Sequence, residues 1–346
     1  MYRPTQTYSG KKTAYLDHNI LNYFIRFPEV SAFGDIFADF QVVYSDETLR
    51  EIRRGDEGTE ARLKVLENLG AMHLKPYTDE NFEISNDAIL SAADIRAEFN
   101  RVCDESVLTE RINSSTQRTL QKFYGNNDLD SISQLTDQQS KEFKEVFNNL
   151  LEEMSSRQIS PEQLSRSKDY ITRTIAQHTE MLQQSTKMML DYQENPEKPV
   201  IKSYRERVGI GPLELNNIAH PNVIEKIWNL HKSLDGYIGK NFTVDDFLGI
   251  SNIPANLDSS TPTYSKVLRA YNVLNVVGYC NDSDLKKERR FVASMSDANH
   301  VALASYADFL YSSDIFLIKK AKAIYEYLEI PTKACEFKVT VIPANK

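Results

Sequence analysis

The feature that most constrains this chain is where its strand signals fall: they lie at the two ends and nearly vanish between about residue 78 and residue 285. Near the N-terminus, TAYLD at 13–17 is a short apolar run that reads as a buried strand, and NILNYFIRF continues with helix-compatible spacing. A second strand signal, QVVYS, covers 41–45. After it Ser45 suits a helix N-cap, Asp46 and Glu47 suit the positive end of the helix dipole, and 48–54 continue the helix. Near the C-terminus, 297–307 reads as helix, DFLYS as strand, IFLIKKAKAIYEYL as helix and EFKVTVI as a last strand. Alternation of this kind predicts an α/β domain with a parallel sheet between helices, a three-layer Rossmann-like arrangement. Both termini would build it, 1–77 from one side and 286–346 from the other, around a long all-helical insertion at 78–285.

At 346 residues the chain exceeds the usual single-domain size, so a second unit or a large insertion is expected on length alone. Within the middle, Thr136 with Gln139 and Ser160 with Gln163 have capping-box spacing, and Pro161 occupies a first helical position. The helix from Pro161 is expected to run to about Gln193, and further helices are expected at 222–234, around Trp228, and at 264–277. Phe143, Val146, Phe147, Leu150, Leu151 and Met154 fall on one helical stripe, which reads as packing surface. The tripeptide Gly209-Ile210-Gly211 is too short for a phosphate loop and reads as a turn.

The formal charge, 41 basic against 49 acidic residues or −8, excludes broad electrostatic attraction to a polyanion. Nucleic-acid contact must then be local, at Lys11-Lys12, Arg50 with Arg53-Arg54, Lys286-Lys287 with Arg289-Arg290, or Lys319-Lys320 with Lys322; the plain alternative for each is a solvated helix face. Cys103, Cys280 and Cys335 are too few and scattered for a disulfide framework or a cysteine zinc site. No stretch approaches the roughly 20 apolar residues that span a bilayer, and the first residues lack a signal peptide's apolar core, so a cytoplasmic protein is expected.

Four carboxylates occupy equivalent places in the expected α/β part: Asp17, Glu51, Asp297 and Asp314. Asp17 ends one strand and Asp314 follows another, and ligands of open parallel sheets bind at the carboxyl ends of strands. Glu51 lies in the helix after the second strand, and Asp297 is expected to open the helix that leads to the next. If these elements are neighbours, mutual repulsion calls for a divalent cation, and oxygen ligands favour Mg²⁺ or Mn²⁺. Each acid also has a plain reading: Asp17, Asp297 and Asp314 as helix caps or turn residues, Glu51 as a surface partner of Arg54. His300 stands three residues after Asp297, with a packed or surface histidine as the plainer reading.

The segments AYLDHNILNYF, VVYSDETLREI and SDANHVALASYADFLYSSD resemble the opening strand and acid, the second strand with its helical glutamate, and the closing pair of aspartates of PIN domains. Asp297 and Asp314 are 17 residues apart, the separation typical of that closing motif. Asn19 matches a frequent polar residue after the first acid, and Ser312 stands where many PIN domains carry threonine or serine. The resemblance covers about the first 70 and last 60 residues and leaves the middle unmatched. It implies a metal-dependent ribonuclease or related nuclease, with Asp17, Glu51, Asp297 and Asp314 as catalytic and metal-binding residues. It further implies nucleic acid, chiefly RNA, as substrate, contacted through Lys11, Lys12, Arg50, Arg53, Arg54, Lys319 and Lys320. An antitoxin or another protein partner on the insertion would fit a toxin and antitoxin pair. Two other readings compete. One is a PIN-like scaffold that binds RNA or protein without cutting. The other is a phosphatase of the haloacid dehalogenase type, which wants a second aspartate where Asn19 stands.

Overall fold

A computed structural model of the protein describes residues 10–27, 35–55, 58–78, 84–104, 107–156, 160–192, 198–234, 241–251 and 261–340. Six strands form one sheet: β1 Thr13–Leu16, β2 Gln41–Tyr44, β3 Met72–Thr78, β4 Ile84–Ser91, β5 Phe309–Ser312 and β6 Lys333–Glu336. Helices α1 His18–Arg26, α2 Asp46–Arg54, α3 Thr59–Asn68 and α4 Ile95–Cys103 accompany the first four strands. Then come α5 Val107–Phe123, α6 Ile132–Ser156, α7 Pro161–Tyr192, α8 Val200–Val208, α9 Pro212–Leu215, α10 Val223–His231, α11 Val244–Phe247, α12 Thr263–Val277 and α13 Glu288–Ala304. The last helix, α14 Ile315–Tyr327, connects β5 to β6.

The strand order is β4-β3-β2-β1-β5-β6, parallel except for β4, which runs antiparallel to β3 at the edge. All four residues of β1 are buried, as a strand flanked by parallel neighbours and covered on its faces requires. The chain moves outward from β1 through β2 and β3, then returns to place β5 on the other side of β1. The β1–β5 seam is therefore the point where the winding direction reverses, and its carboxyl end is where Asp17 and Ser312 emerge. The core beneath is built by Leu16, Ile20, Leu21, Val42, Leu49, Ile52, Leu63 and Leu66, every one 3 % exposed or less.

The chain divides into two compact units, one of 1–104, 210–282 and 293–346, the other of 105–209 and 283–292. The segment 78–285, expected as one helical insertion, coincides with neither: β4, α4 and 210–282 belong to the unit that holds the sheet. Strand β4 was not legible because its residues are mostly half-buried or exposed, with no apolar alternation to mark it.

Helix starts shifted in two places. Thr136 lies inside α6, where its hydroxyl donates to Ile132 O at 2.8 Å; the cap is Ser131, paired reciprocally with Gln134. Ser160 and Gln163 do cap α7. Asp297 does not open a helix: α13 begins at Glu288, so Asp297 projects from its middle. The expected last strand at 336–342 is instead Lys333–Glu336, fixed by pairing of Lys333 with Phe309; 341–346 lie outside the described residues. Of the stripe on α6 only Val146 is buried. Among the described residues no helix is long and apolar enough to cross a membrane.

Candidate metal centre

The centre begins with two helices that meet in register. Glu47 and Glu51 stand one turn apart on α2, and Ser296 and His300 stand one turn apart on α13, so each pair lines a single helix face. Ser296 donates to Glu47 at 2.8 Å, and His300 Nε2 lies 2.8 Å from Glu51 Oε2. The start of α2 is set by a capping box in which Ser45 and Thr48 bond each other's backbone N–H. Tyr15 of β1 ties this cap to the second helix: its hydroxyl lies 2.7 Å from Ser45 Oγ and 2.7 Å from His300 Nδ1. Tyr15 and His300 are both completely buried.

Asp17 follows β1 at the N-cap position of α1, but its side chain makes no capping bond. Its Oδ2 instead accepts from Ser312 at 2.6 Å and from Asn19 at 3.0 Å, which fixes the carboxylate at the β1–β5 seam. Ligand atoms of Asp17, Glu51 and His300 all lie within 4.8 Å of one another, a spacing that suits a shared cation. His18 Nδ1 lies 3.8 Å from Glu51 Oε2 and has no hydrogen-bond partner among the described residues.

The charges of this pocket act strongly on one another. Burial pushes Asp17 above the usual aspartate range; the charge of His300 opposes that rise and the charge of Glu51 adds to it. Burial also works against ionisation of Glu51, yet the hydrogen bond and charge of His300, with His18 and Arg54, outweigh it and hold the carboxyl at about 2. Burial alone would lower His300, but Tyr15, Glu51 and Asp17 raise it well above its ordinary value. Asp297, half-buried on α13, is raised furthest by burial and then by Asp17 and Asp282, with Lys320 pulling the other way. Glu47 is paired with Arg54 at 2.8 Å.

Three of the four acids picked from the sequence thus act on one another, namely Asp17, Glu51 and Asp297. Asp314 is the N-cap of α14, its Oδ1 accepting from Phe316 N at 2.7 Å and Leu317 N at 3.1 Å, while its own N–H donates to Ser312. It is not part of the Asp17, Glu51 and His300 group; its charge adds, after burial, Asp297 and Asp282, to the rise of the buried Tyr271 hydroxyl. His300, for which a packed or surface role was the plainer reading, is central, and Glu51 pairs with it while Arg54 bonds Glu47.

The basic residues are mostly committed inward. Lys320 is wholly buried, so it does not offer a surface contact to a polymer; it donates to Asp282 at 2.8 Å and Asn275 at 2.9 Å and lies 3.9 Å over the Tyr271 ring. Arg53 donates to Val102 O, Arg54 to Glu47 and Ser296, and Arg50 lies 3.6 Å from Glu47. Lys11 donates to Ala38 O, Lys12 lies 5.9 Å over Phe309, and Lys319 is half-buried.

A second acid and histidine group, Asp46, His73 and Glu98, is already filled by a cation: Arg101 binds Glu98 at 2.7 Å and also bonds Asp46. Fold and site together define a mostly parallel α/β protein with an Asp-Glu-His cluster at its winding reversal. No protein-family model, curated protein or solved structure matches the chain.

Proposed function

We propose that this chain is a metal-dependent nuclease of PIN-like type that hydrolyses phosphodiester bonds, RNA being the substrate. The observation that carries the reading is the convergence of Asp17, Glu51 and His300 at the carboxyl end of the β1–β5 seam, with Asp297 beside them. The donor set fits a divalent cation: the carboxylates of Asp17 and Glu51 and the imidazole of His300 lie within 4.8 Å of one another, and the charges of Asp17 and Glu51 act on Asp297, a third acid. The added imidazole favours Mn²⁺ over Mg²⁺. Asp17, Glu51 and Asp297 would hold the ion, with His300 as fourth donor or as the group that orients Glu51. Ser312 and Asn19 aim Asp17, and Tyr15 fixes the ring of His300. A bound ion would supply a low-pKa water and neutralise charge on the scissile phosphate.

The helical unit would select the substrate or a protein partner. The inward commitment of Lys320, Arg53 and Arg54 leaves few basic groups to draw in a polyanion, and this favours a second reading, a PIN-like scaffold that binds without cutting. One experiment separates the two. Purified protein with Mn²⁺ is expected to cleave single-stranded RNA, and Asp17→Asn to lower the rate at least about a hundredfold, about 2.7 kcal/mol of transition-state stabilisation. Absent cleavage in the wild-type chain, or equal cleavage in the variant, would defeat the nuclease reading.

A further inference from the structure

Lys320 is 0 % exposed, a placement that an ammonium tolerates only when its charge is matched. The match is Asp282, both of whose oxygens are taken by the chain: Oδ1 accepts from Lys320 at 2.8 Å, and Oδ2 from Ser294 at 2.5 Å and Asn275 at 3.0 Å. Ser294 and Asp297 are three residues apart on α13 and so share one face of that helix. Lys320 is thus linked through Asp282 and Ser294 to the helix face that carries Asp297. A second, independent feature lies on the same side: the hydroxyl of Tyr271, whose ring Lys320 covers, is buried and has no hydrogen-bond partner among the described residues. The charges of Asp297, Asp282, Asp314 and Asp17 all act on it, so it is a buried donor left over beside Lys320 and within reach of the acids' field.

We propose that this pocket takes one divalent cation, and that the Lys320 ammonium occupies the place a second cation would need. The inference rests on the metal reading above. Paired ions in phosphodiester hydrolysis sit about 3.5–4 Å apart and need carboxylates on the far side of each. Here Asp282 is spent on Lys320, Asn275 and Ser294, and one oxygen of Asp314 is spent on the start of α14. Asp17, Glu51 and Asp297 remain, enough for one ion. The Tyr271 O–H is then the donor available to whatever non-protein oxygen completes that ion's shell.

The test is a Mn²⁺ titration of the full chain, followed by the free-ion paramagnetic resonance signal and by calorimetry. One equivalent is expected, weakened at least tenfold in Asp17→Asn. Two equivalents, none, or binding indifferent to Asp17→Asn would overturn the proposal. Lys320→Met frees Asp282 and is expected to take up a second equivalent; a folded variant that still takes up one would overturn it. Because that variant leaves a buried carboxylate unpaired, the double variant Lys320→Met with Asp282→Asn is measured too. It is expected to keep the single equivalent, and its loss would make Asp282 a ligand and defeat the scheme. One bound equivalent without RNA cleavage leaves this inference intact and removes the nuclease reading alone.

Discussion

Tyr15→Phe isolates the bond network that joins β1, α2 and α13. The substitution keeps the ring and removes a hydroxyl that lies 2.7 Å from both Ser45 Oγ and His300 Nδ1 in a fully buried setting. Among the described residues Ser45 Oγ keeps only contacts of 3.4 Å to the N–H and hydroxyl of Thr48, and His300 Nδ1 keeps none. Two buried bonds lost, at roughly 1 kcal/mol each, plus a buried ring nitrogen left unpaired, give about 3 kcal/mol of destabilisation. Trp228 is the only tryptophan and belongs to the unit that holds the sheet, so its fluorescence in a urea titration reads that unit's unfolding. The comparison variant is Tyr325→Phe, whose hydroxyl makes a single bond of 2.5 Å to Val301 O and should cost about 1 kcal/mol. A Tyr15→Phe midpoint shift no larger than that of Tyr325→Phe would refute the idea that this hydroxyl organises the centre.

Asp46 supplies a pH dependence away from the pocket. Burial opposes its ionisation, but the hydrogen bond and charge of His73 and the charge of Arg101 bring its carboxyl from an ordinary 3.8 to about 2. A carboxyl depressed on folding stabilises above its unfolded value, so about 2 kcal/mol is present above pH 4 and is lost as pH falls from about 4 to 2. Asp46→Asn should flatten that acid limb in urea unfolding curves; an unchanged limb refutes the assignment. Asp314→Asn keeps a good N-cap on α14 and should alter stability by less than about 0.5 kcal/mol while leaving Mn²⁺ uptake at one equivalent. Loss of that equivalent in the variant would make Asp314 a ligand and refute its reading as a cap. Gly125 has φ +101°, and an added Cβ would fall 2.5 Å from Pro199 Cγ, so Gly125→Ala should destabilise the helical unit by about 2 kcal/mol or more, read by far-ultraviolet circular dichroism. Tyr271→Phe and Tyr44→Phe each delete a buried hydroxyl without a partner among the described residues and should each stabilise the metal-free protein by about 1 kcal/mol, with only Tyr271→Phe weakening Mn²⁺ binding.

What the sequence made legible followed from burial pattern. β1, β2 and β5 are short runs between parallel or well-covered neighbours, and their apolar character is visible without context. β4 is an antiparallel edge with three of its eight residues exposed and none buried, so its strand character comes from pairing with β3, which no local window reports. Ser131 was missed for another reason. Thr136 and Ser131 offer the same spacing to a glutamine, and only the packing that carries α6 five residues further back decides between them.

The site shows the same division at the level of single groups. Asp17 and Glu51 were legible because a strand end and a helix face place them by local geometry. His300 was not, because its weight comes from two partners 285 and 249 residues away, Tyr15 and Glu51. Lys320 was misplaced for a sharper reason: a KKAK run on an amphipathic helix reads as solvated, and three of its four positions say nothing about which one turns inward. The structure turns Lys320 toward Asp282, a residue that carried no motif of its own. A buried ammonium is stable only beside a carboxylate already held there, so Lys320 and Asp282 depend on each other for their place. An interdependence of that kind has no signature in either segment alone. Acids at a strand end and on a helix face can therefore be picked from sequence, whereas the partner of a buried charge is a property of the folded pair.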